Sequence, residues 1–258
     1  MGRRKFVFFD VDGTLAAGRP GQQYVPESTK LALKKLRENG HFLAIATGRS
    51  HAMALQMMQD LGFHNMVHDG GNGITIDDQL VFIEPLDLKK CIKLINECKE
   101  NGILWGISPY DTTYRLVPDE RFYEFTHDVY MDTKVKEGLD PEDYENIYKV
   151  YIACYSPKEE RLQTLNELPW CRFHKEYLFV EPANKEKGIK SMVDHLGGDY
   201  KDVVVFGDAK NDLSMFCDEW TSIAMGNAID ELKQKADYVT TDVTEDGIYH
   251  ACKHFGWI

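Results

Sequence analysis

The chain has no C-x-x-C pair and no cysteine–histidine spacing of the zinc-finger kind, which excludes a zinc module and gives no sign of a redox motif. Its six cysteines, Cys91, Cys98, Cys154, Cys171, Cys217 and Cys252, are scattered and read as reduced thiols, most of them packed. No apolar run approaches the roughly 20 residues that a membrane span needs. The basic start Met1-Gly2-Arg3-Arg4-Lys5 is followed only by Phe6-Val7-Phe8-Phe9 before Asp10, too short for the apolar stretch of a secretory signal. A reducing, cytoplasmic setting without a membrane partner is the expectation. Positive charge is also scarce: 42 acidic residues against 30 basic ones give a formal net charge of −12. That field opposes nucleic acid and anionic lipid, so neither is an expected partner. There is no P-loop. The glycines Gly70, Gly71 and Gly73 do not spell a dinucleotide fingerprint and read as a hairpin turn. An EF-hand is excluded because Gly13 would stand at the fourth loop position counted from Asp10, where that loop requires glycine at the sixth.

What is present is enough apolar sequence, 43% of 258 residues, to bury one large core or two smaller ones. Three short apolar runs end in chemically capable residues: Phe6 to Phe9 before Asp10, Phe42 to Ala46 before Thr47, and Val203 to Phe206 before Gly207-Asp208. Runs of this kind suit strands buried on both faces. Helices are expected over 27–39, closed by Gly40, over 51–61 before Gly62, and over 187–196. Strands alternating with helices imply an α/β fold with a doubly wound parallel sheet. Residues 81–182 read differently: a helix over 86–101, strands near 104–107 and 113–117, and an irregular acidic stretch through Tyr144. A strand over 149–155, a helix over 158–168 and a strand pair near 171–174 and 177–181 follow. Adjacent strands imply an antiparallel α+β domain inserted into the parallel one, with turn-rich boundaries at Asp77-Asp78 and Pro182-Ala183-Asn184. The expected division is therefore a discontinuous core, 1–80 with 183–258, and an insert, 81–182.

The chemistry concentrates where the apolar runs end. Asp10-Val11-Asp12-Gly13-Thr14 places two carboxylates at the carboxyl edge of a sheet, where open α/β folds bind ligands. Asp10 is placed to attack phosphorus and form an aspartyl-phosphate, while Asp12 can protonate the leaving oxygen and later activate water. Thr47-Gly48-Arg49 offers a hydroxyl and backbone N–H groups near a helix start, an anion-binding arrangement. Lys187, before Gly188, puts a cation near another helix N-terminus, which is unfavourable unless an anion lies close. Gly207-Asp208-Ala209-Lys210-Asn211-Asp212 adds two more carboxylates. Four aspartates at one edge repel without a cation, and magnesium, a hard ion that takes carboxylate, phosphate and water oxygens, fits them. Asp10, Asp208 and the main-chain carbonyl of Asp12 are the expected ligands, with Asp212 either binding the ion or supporting the residues that do.

The ordered set DVDGT, TGR, a lysine before glycine, and GDAKND resembles the four motifs of the haloacid dehalogenase (HAD) superfamily, and the position of the insert resembles the type IIB cap of its Cof-like subfamily. The resemblance spans the chain. It implies a Rossmann-like core with an α+β cap, and a magnesium-dependent phosphatase acting on a small phosphorylated metabolite such as a sugar phosphate. It makes Asp10 the nucleophile, Asp12 the acid/base, Thr47 and Lys187 phosphate binders, Asp208 a metal ligand, Asn211 a contact to phosphate or the metal's surroundings, and Asp212 their support. Lys185, two residues before Lys187, is the rival for the lysine position. Asp69-Gly70-Gly71-Asn72-Gly73 departs from relatives that carry serine or threonine before Asn-Gly. Arg49 reads as a structural residue, and Tyr114, Arg115, His174 and Lys175 as candidates for substrate selection. A phosphomutase using the same Asp10 and a non-enzymatic phospho-ligand sensor are the alternatives; a dehalogenase would need neither the second aspartate nor magnesium. Oligomeric state is not legible.

Overall fold

The computed structural model describes residues 3–18 and 22–258; Met1 and Gly2 of the basic start lie outside them. In chain order the elements are β1 (Phe6–Phe9), α1 (Glu27–Glu38), β2 (Phe42–Ala46), α2 (His51–Asp60), β3 (Met66–His68), β4 (Gly73–Ile76), β5 (Gln79–Ile83), α3 (Leu88–Glu100), β6 (Leu104–Ser108) and β7 (Tyr114–Val117). Then come α4 (Arg121–Thr126), β8 (Asp132–Val135), β9 (Lys149–Ala153), β10 (Trp170–His174), β11 (Tyr177–Val180), α5 (Lys185–His195), β12 (Val203–Gly207), β13 (Thr221–Ala224), α6 (Asp230–Lys235), β14 (Tyr238–Val239) and α7 (Gly247–His254). The chain divides into two compact units: Met1–Arg49, Ala54–Phe82 and Asn184–Ile258 form the first, and Ser50–Met53 with Ile83–Ala183 the second.

The first unit holds an eight-stranded sheet in the order β14-β13-β12-β1-β2-β3-β4-β5. Strand β1 lies parallel to both β12 and β2, with Phe9 opposite Phe206 and Ile45. Every residue of these three strands is buried, because side chains alternate between two covered faces. Val7 and Phe9 pack with Ala32, Leu33 and Leu36 of α1 and Ile248, Ala251 and Cys252 of α7. Phe6 and Phe8 pack with Ile189, Met192 and Val193 of α5 on the other side. The result is a three-layer α/β unit whose loops after β1, β2 and β12 share one sheet edge. Beyond β3 the sheet turns antiparallel: Met66 pairs with Thr75 across a short 3₁₀ turn at Asp69–Gly71.

The second unit holds a six-stranded sheet, β10-β11-β9-β6-β7-β8, antiparallel except where β7 and β8 run parallel. Helix α3 buries Cys91, Leu94, Ile95 and Cys98, one apolar stripe at i, i+3, i+4 and i+7. Burial drives the Cys91 thiol up to about 12, so it packs as a small apolar group. Asp87 caps the helix by accepting from the Lys90 N–H at 3.1 Å.

Three expectations need correction here. The helix expected over 158–168 is two 3₁₀ turns, Lys158–Arg161 and Gln163–Glu167, separated by an extended Leu162. The break is held by Glu97 of α3, whose carboxylate accepts from the Thr164 N–H at 3.1 Å and from its hydroxyl at 2.5 Å. The acidic stretch expected to be irregular contains α4 and β8. Strand β8 is largely exposed along its length, a charged edge strand without an apolar signal. Arg115, a candidate for substrate selection, is fully buried. It pairs with Asp128 at 2.7 Å, donates to Thr133 at 2.9 Å, and lies over the rings of Phe122 and Tyr151; it is an internal strut.

Candidate active site

Asp10 follows the last residue of β1, and its N–H donates to the Phe206 carbonyl of β12 at 3.0 Å. This bond carries the strand register into the loop, so the Asp10 carboxylate sits at the buried sheet edge with only 3% exposure. Lys185, the first residue of α5, is 1% exposed and reaches the same place: its Nζ lies 2.6 Å from Asp10 Oδ1 and 2.6 Å from Asp212 Oδ1. The helix start is fixed by Asn184, which accepts from the Lys187 N–H, and by Ser214, which accepts from the Lys185 N–H. The second oxygen of Asp212 accepts from the N–H groups of Asp208 and Ala209, both at 2.9 Å. Asp208 accepts from the Thr14 hydroxyl at 2.9 Å. Carboxylate oxygens of Asp10, Asp208 and Asp212 all fall within 4.8 Å of one another.

Two glycines make this convergence possible. Gly13 has φ +92°, and a Cβ there would lie 2.3 Å from Asp208 Oδ2. Its carbonyl accepts from Asn227 at 2.8 Å, which pins the loop after β1 to the loop after β13. Gly71 has φ +106°, and a Cβ there would lie 1.9 Å from the Asn184 carbonyl. The turn after β3 thus presses directly against the residue that starts α5, a closeness only glycine allows.

The electrostatics follow from burial. Removing Asp10 from water, then the neighbouring charge of Asp212, pushes its carboxyl well up, against the pull of Lys185. Asp208 is pushed up to about 7, by burial first and Asp212 next, with the Thr14 hydrogen bond opposing. Burial alone would lower the Lys185 ammonium, but the charges of Asp10 and Asp212 outweigh it and raise the group. A single lysine facing three carboxylates leaves negative charge uncompensated. Asp10, Asp208 and Asp212 therefore fit a hard divalent cation.

Among the expected residues, Asp10, Asp208 and Asp212 converge. Thr47 is buried at the adjacent strand end, where its Oγ1 accepts from the Arg49 N–H at 3.1 Å, and Gly48 follows it in the same loop. Asn211 is exposed on the turn that carries Asp208 and Asp212. Lys187 is exposed two residues beyond the cluster, so the lysine that meets the carboxylates is its neighbour Lys185. The helix begins at 185, two residues earlier than the Lys-Gly pair implied, and its first side chain is the one aimed at the sheet edge. Arg49, read as a structural residue, grips Asp12 through Nη2 to Oδ1 at 2.6 Å and Nε to Oδ2 at 3.1 Å. Thr14, Asn227 and Gln23 were not singled out; of these only Thr14, inside the DVDGT motif, carried a sequence signal.

A family model of haloacid dehalogenase-like hydrolases matches residues 7–252. The chain belongs to that family. Within these haloacid dehalogenase-like hydrolases it is 31% identical over 255 residues to the putative phosphatase YkrA of Bacillus subtilis, an alignment covering 98% of each chain. A crystal structure of a hypothetical protein from Geobacillus kaustophilus superimposes with a TM-score of 0.85 at 31% identity, covering 99% of this chain and 100% of that one. The subclass IIB sugar phosphatase BT4131 superimposes with a TM-score of 0.79 at 25% identity, covering 98% of this chain and 100% of that one. Family membership makes the protein an enzyme, a hydrolase with a cap domain inserted in an α/β core. Among the described residues no helix is long and apolar enough to cross a membrane.

Proposed function

We propose that the protein is a magnesium-dependent phosphatase of small phosphate monoesters, sugar phosphates or related metabolites, working through an aspartyl-phosphate on Asp10. The observation that carries this reading is the contact of Lys185 with both Asp10 and Asp212 beside Asp208, at the edge where β1 and β12 end. Asp10, Asp208 and the Asp12 carbonyl would hold the ion, with Asp212 supporting them, and the ion would neutralise and orient the phosphate when bound.

In the first half-reaction an oxygen of Asp10 bonds to phosphorus as the ester P–O bond breaks, and the leaving oxygen takes a proton from Asp12. In the second, water attacks the aspartyl-phosphate, gives a proton back to Asp12, and releases phosphate as the bond to Asp10 breaks. Thr47, the amide of Gly48 and Lys185 supply donors to the phosphoryl oxygens, and Asn211 stands on the same rim. The likeness to the sugar phosphatase BT4131 supports the substrate class. A panel of phosphorylated metabolites incubated with enzyme and magnesium, read as free orthophosphate, tests the reading. Release from at least one sugar or sugar-alcohol phosphate is the expected result. Conversion of a sugar phosphate to its isomer without free phosphate would replace the phosphatase by a mutase, and saturable binding without turnover by a sensor.

Asp208 moves from its ordinary 3.8 to about 7 on folding, so between these values the folded chain holds a proton that the unfolded chain has released. Stability of the metal-free protein therefore falls as pH rises through that window. Magnesium, which binds the deprotonated carboxylates, should raise the melting temperature more at about pH 7.5 than at about pH 5. Thermal scans with magnesium and with a chelator at both pH values check this, and an equal rise at both would contradict it.

A further inference from the structure

The carboxylate of Asp12 is held from two sides. Arg49 donates Nη2 to Oδ1 at 2.6 Å and Nε to Oδ2 at 3.1 Å, and Gln23 donates Nε2 to the same Oδ1 at 2.5 Å. Arg49 Nη2 also donates to Gln23 Oε1 at 3.0 Å, so three side chains close a ring of hydrogen bonds. The Arg49 side chain is only 16% exposed, against 48% for Asp12. Its backbone is fixed too, since its N–H donates to Thr47 Oγ1 and its carbonyl accepts from the Asp69 N–H. This differs from a surface ion pair, whose long side chains remain free to separate. A guanidinium fork of fixed plane sets both the position and the plane of the carboxylate it grips. The two oxygens are not held alike: Oδ1 has two donors, whereas Oδ2 has one at the longer distance.

We propose that Arg49 and Gln23 are positioning residues for the proton transfers of Asp12, with Oδ1 as the anchored oxygen and Oδ2 as the oxygen that carries the proton. The inference rests on the phosphatase reading and deepens it. As Asp10 bonds to phosphorus, the electron pair of the breaking ester bond goes to the leaving oxygen, and the proton on Asp12 Oδ2 follows it. In the second half-reaction the same oxygen takes a proton from the attacking water. Arg49 and Gln23 stay covalently unchanged and hold Oδ1 throughout. Orientation of this kind matters because a misplacement of about 1 Å in a reacting group can cost on the order of 100-fold in rate.

Substituted phenyl phosphates, from p-nitrophenyl phosphate to phenyl phosphate, test the assignment. Proton donation matters little when the leaving phenolate is stable and increasingly as it becomes more basic. For Arg49→Ala, kcat/KM should fall by about 100-fold on phenyl phosphate but only about fivefold on p-nitrophenyl phosphate. Gln23→Ala should tilt the series in the same direction by about tenfold on phenyl phosphate, and it serves if Arg49→Ala does not fold. Arg49→Lys, which keeps the charge and loses the fork, should remain tilted. An equal loss across the series with a raised KM would mean that Arg49 binds substrate, and an unchanged slope in both alanine variants would mean that neither residue positions Asp12. Either result overturns the proposal while leaving the phosphatase reading intact. That reading fails separately, if Asp10→Asn still turns over.

Discussion

Asp10→Asn is expected to lower kcat on any accepted phosphate ester by a factor on the order of 10⁴ or more, a loss typical of removing a nucleophile, while the melting temperature stays equal to or above that of the parent. The two halves of this expectation share one cause. The amide keeps the volume and the acceptor facing Lys185 but cannot form an acyl phosphate. It also removes one of three carboxylates crowded within 4.8 Å, the one whose ionised form burial and Asp212 most disfavour. The site stores repulsion for chemistry, and the substitution releases it. Orthophosphate release and a thermal scan on the same preparation check both halves, and phosphate release at the parent rate would remove Asp10 from the mechanism.

Lys185→Met is expected to do the opposite to stability and the same to activity. Its ammonium is buried between Asp10 and Asp212 at 2.6 Å from each, so an apolar replacement leaves both carboxylates without their cation. Breaking a buried pair from one side costs about 3–5 kcal/mol, read as a lower denaturant midpoint, and phosphate release should drop at least about 100-fold. Added magnesium should recover part of the stability. The companion variant Lys187→Met alters an exposed side chain and should shift stability by no more than about 0.5 kcal/mol, with activity near that of the parent. A larger activity loss from Lys187→Met than from Lys185→Met would return the phosphate-binding role to Lys187.

The two lysines also show where sequence reading reaches its limit. Apolar runs ending in aspartate or threonine were enough to place Asp10, Thr47 and Asp208 at strand ends, because a strand buried on both faces has a composition that little else shares. The lysine depended instead on where α5 starts, and a shift of two residues there turns a side chain roughly 200° around the helix. Asn184 sets that start through a cap, a cue subtler than the Lys-Gly pair. Arg49 was visible as part of TGR, but its partner was not, since the ring with Asp12 and Gln23 depends on how the loop after β1 folds back. Elements in the second unit were missed for a related reason. Strand β8 is a charged edge without an apolar stripe, and the helical period over 158–168 is overruled by Glu97, a residue more than sixty positions earlier. Local pattern cannot register a distant carboxylate that offers the backbone a better partner.

The central place of β1 bears on how the protein is made. One neighbour of this strand, β2, follows within the first 46 residues, but the other, β12, begins only at Val203. At roughly 5–20 residues per second, a ribosome needs on the order of 10–40 s to deliver it. During that interval Phe6-Val7-Phe8-Phe9 lacks the strand that flanks it on this side in the finished fold. Newborn chains shorter than about 200 residues should therefore recruit a holdase or stick to one another, whereas the finished enzyme, with both flanks occupied, does neither.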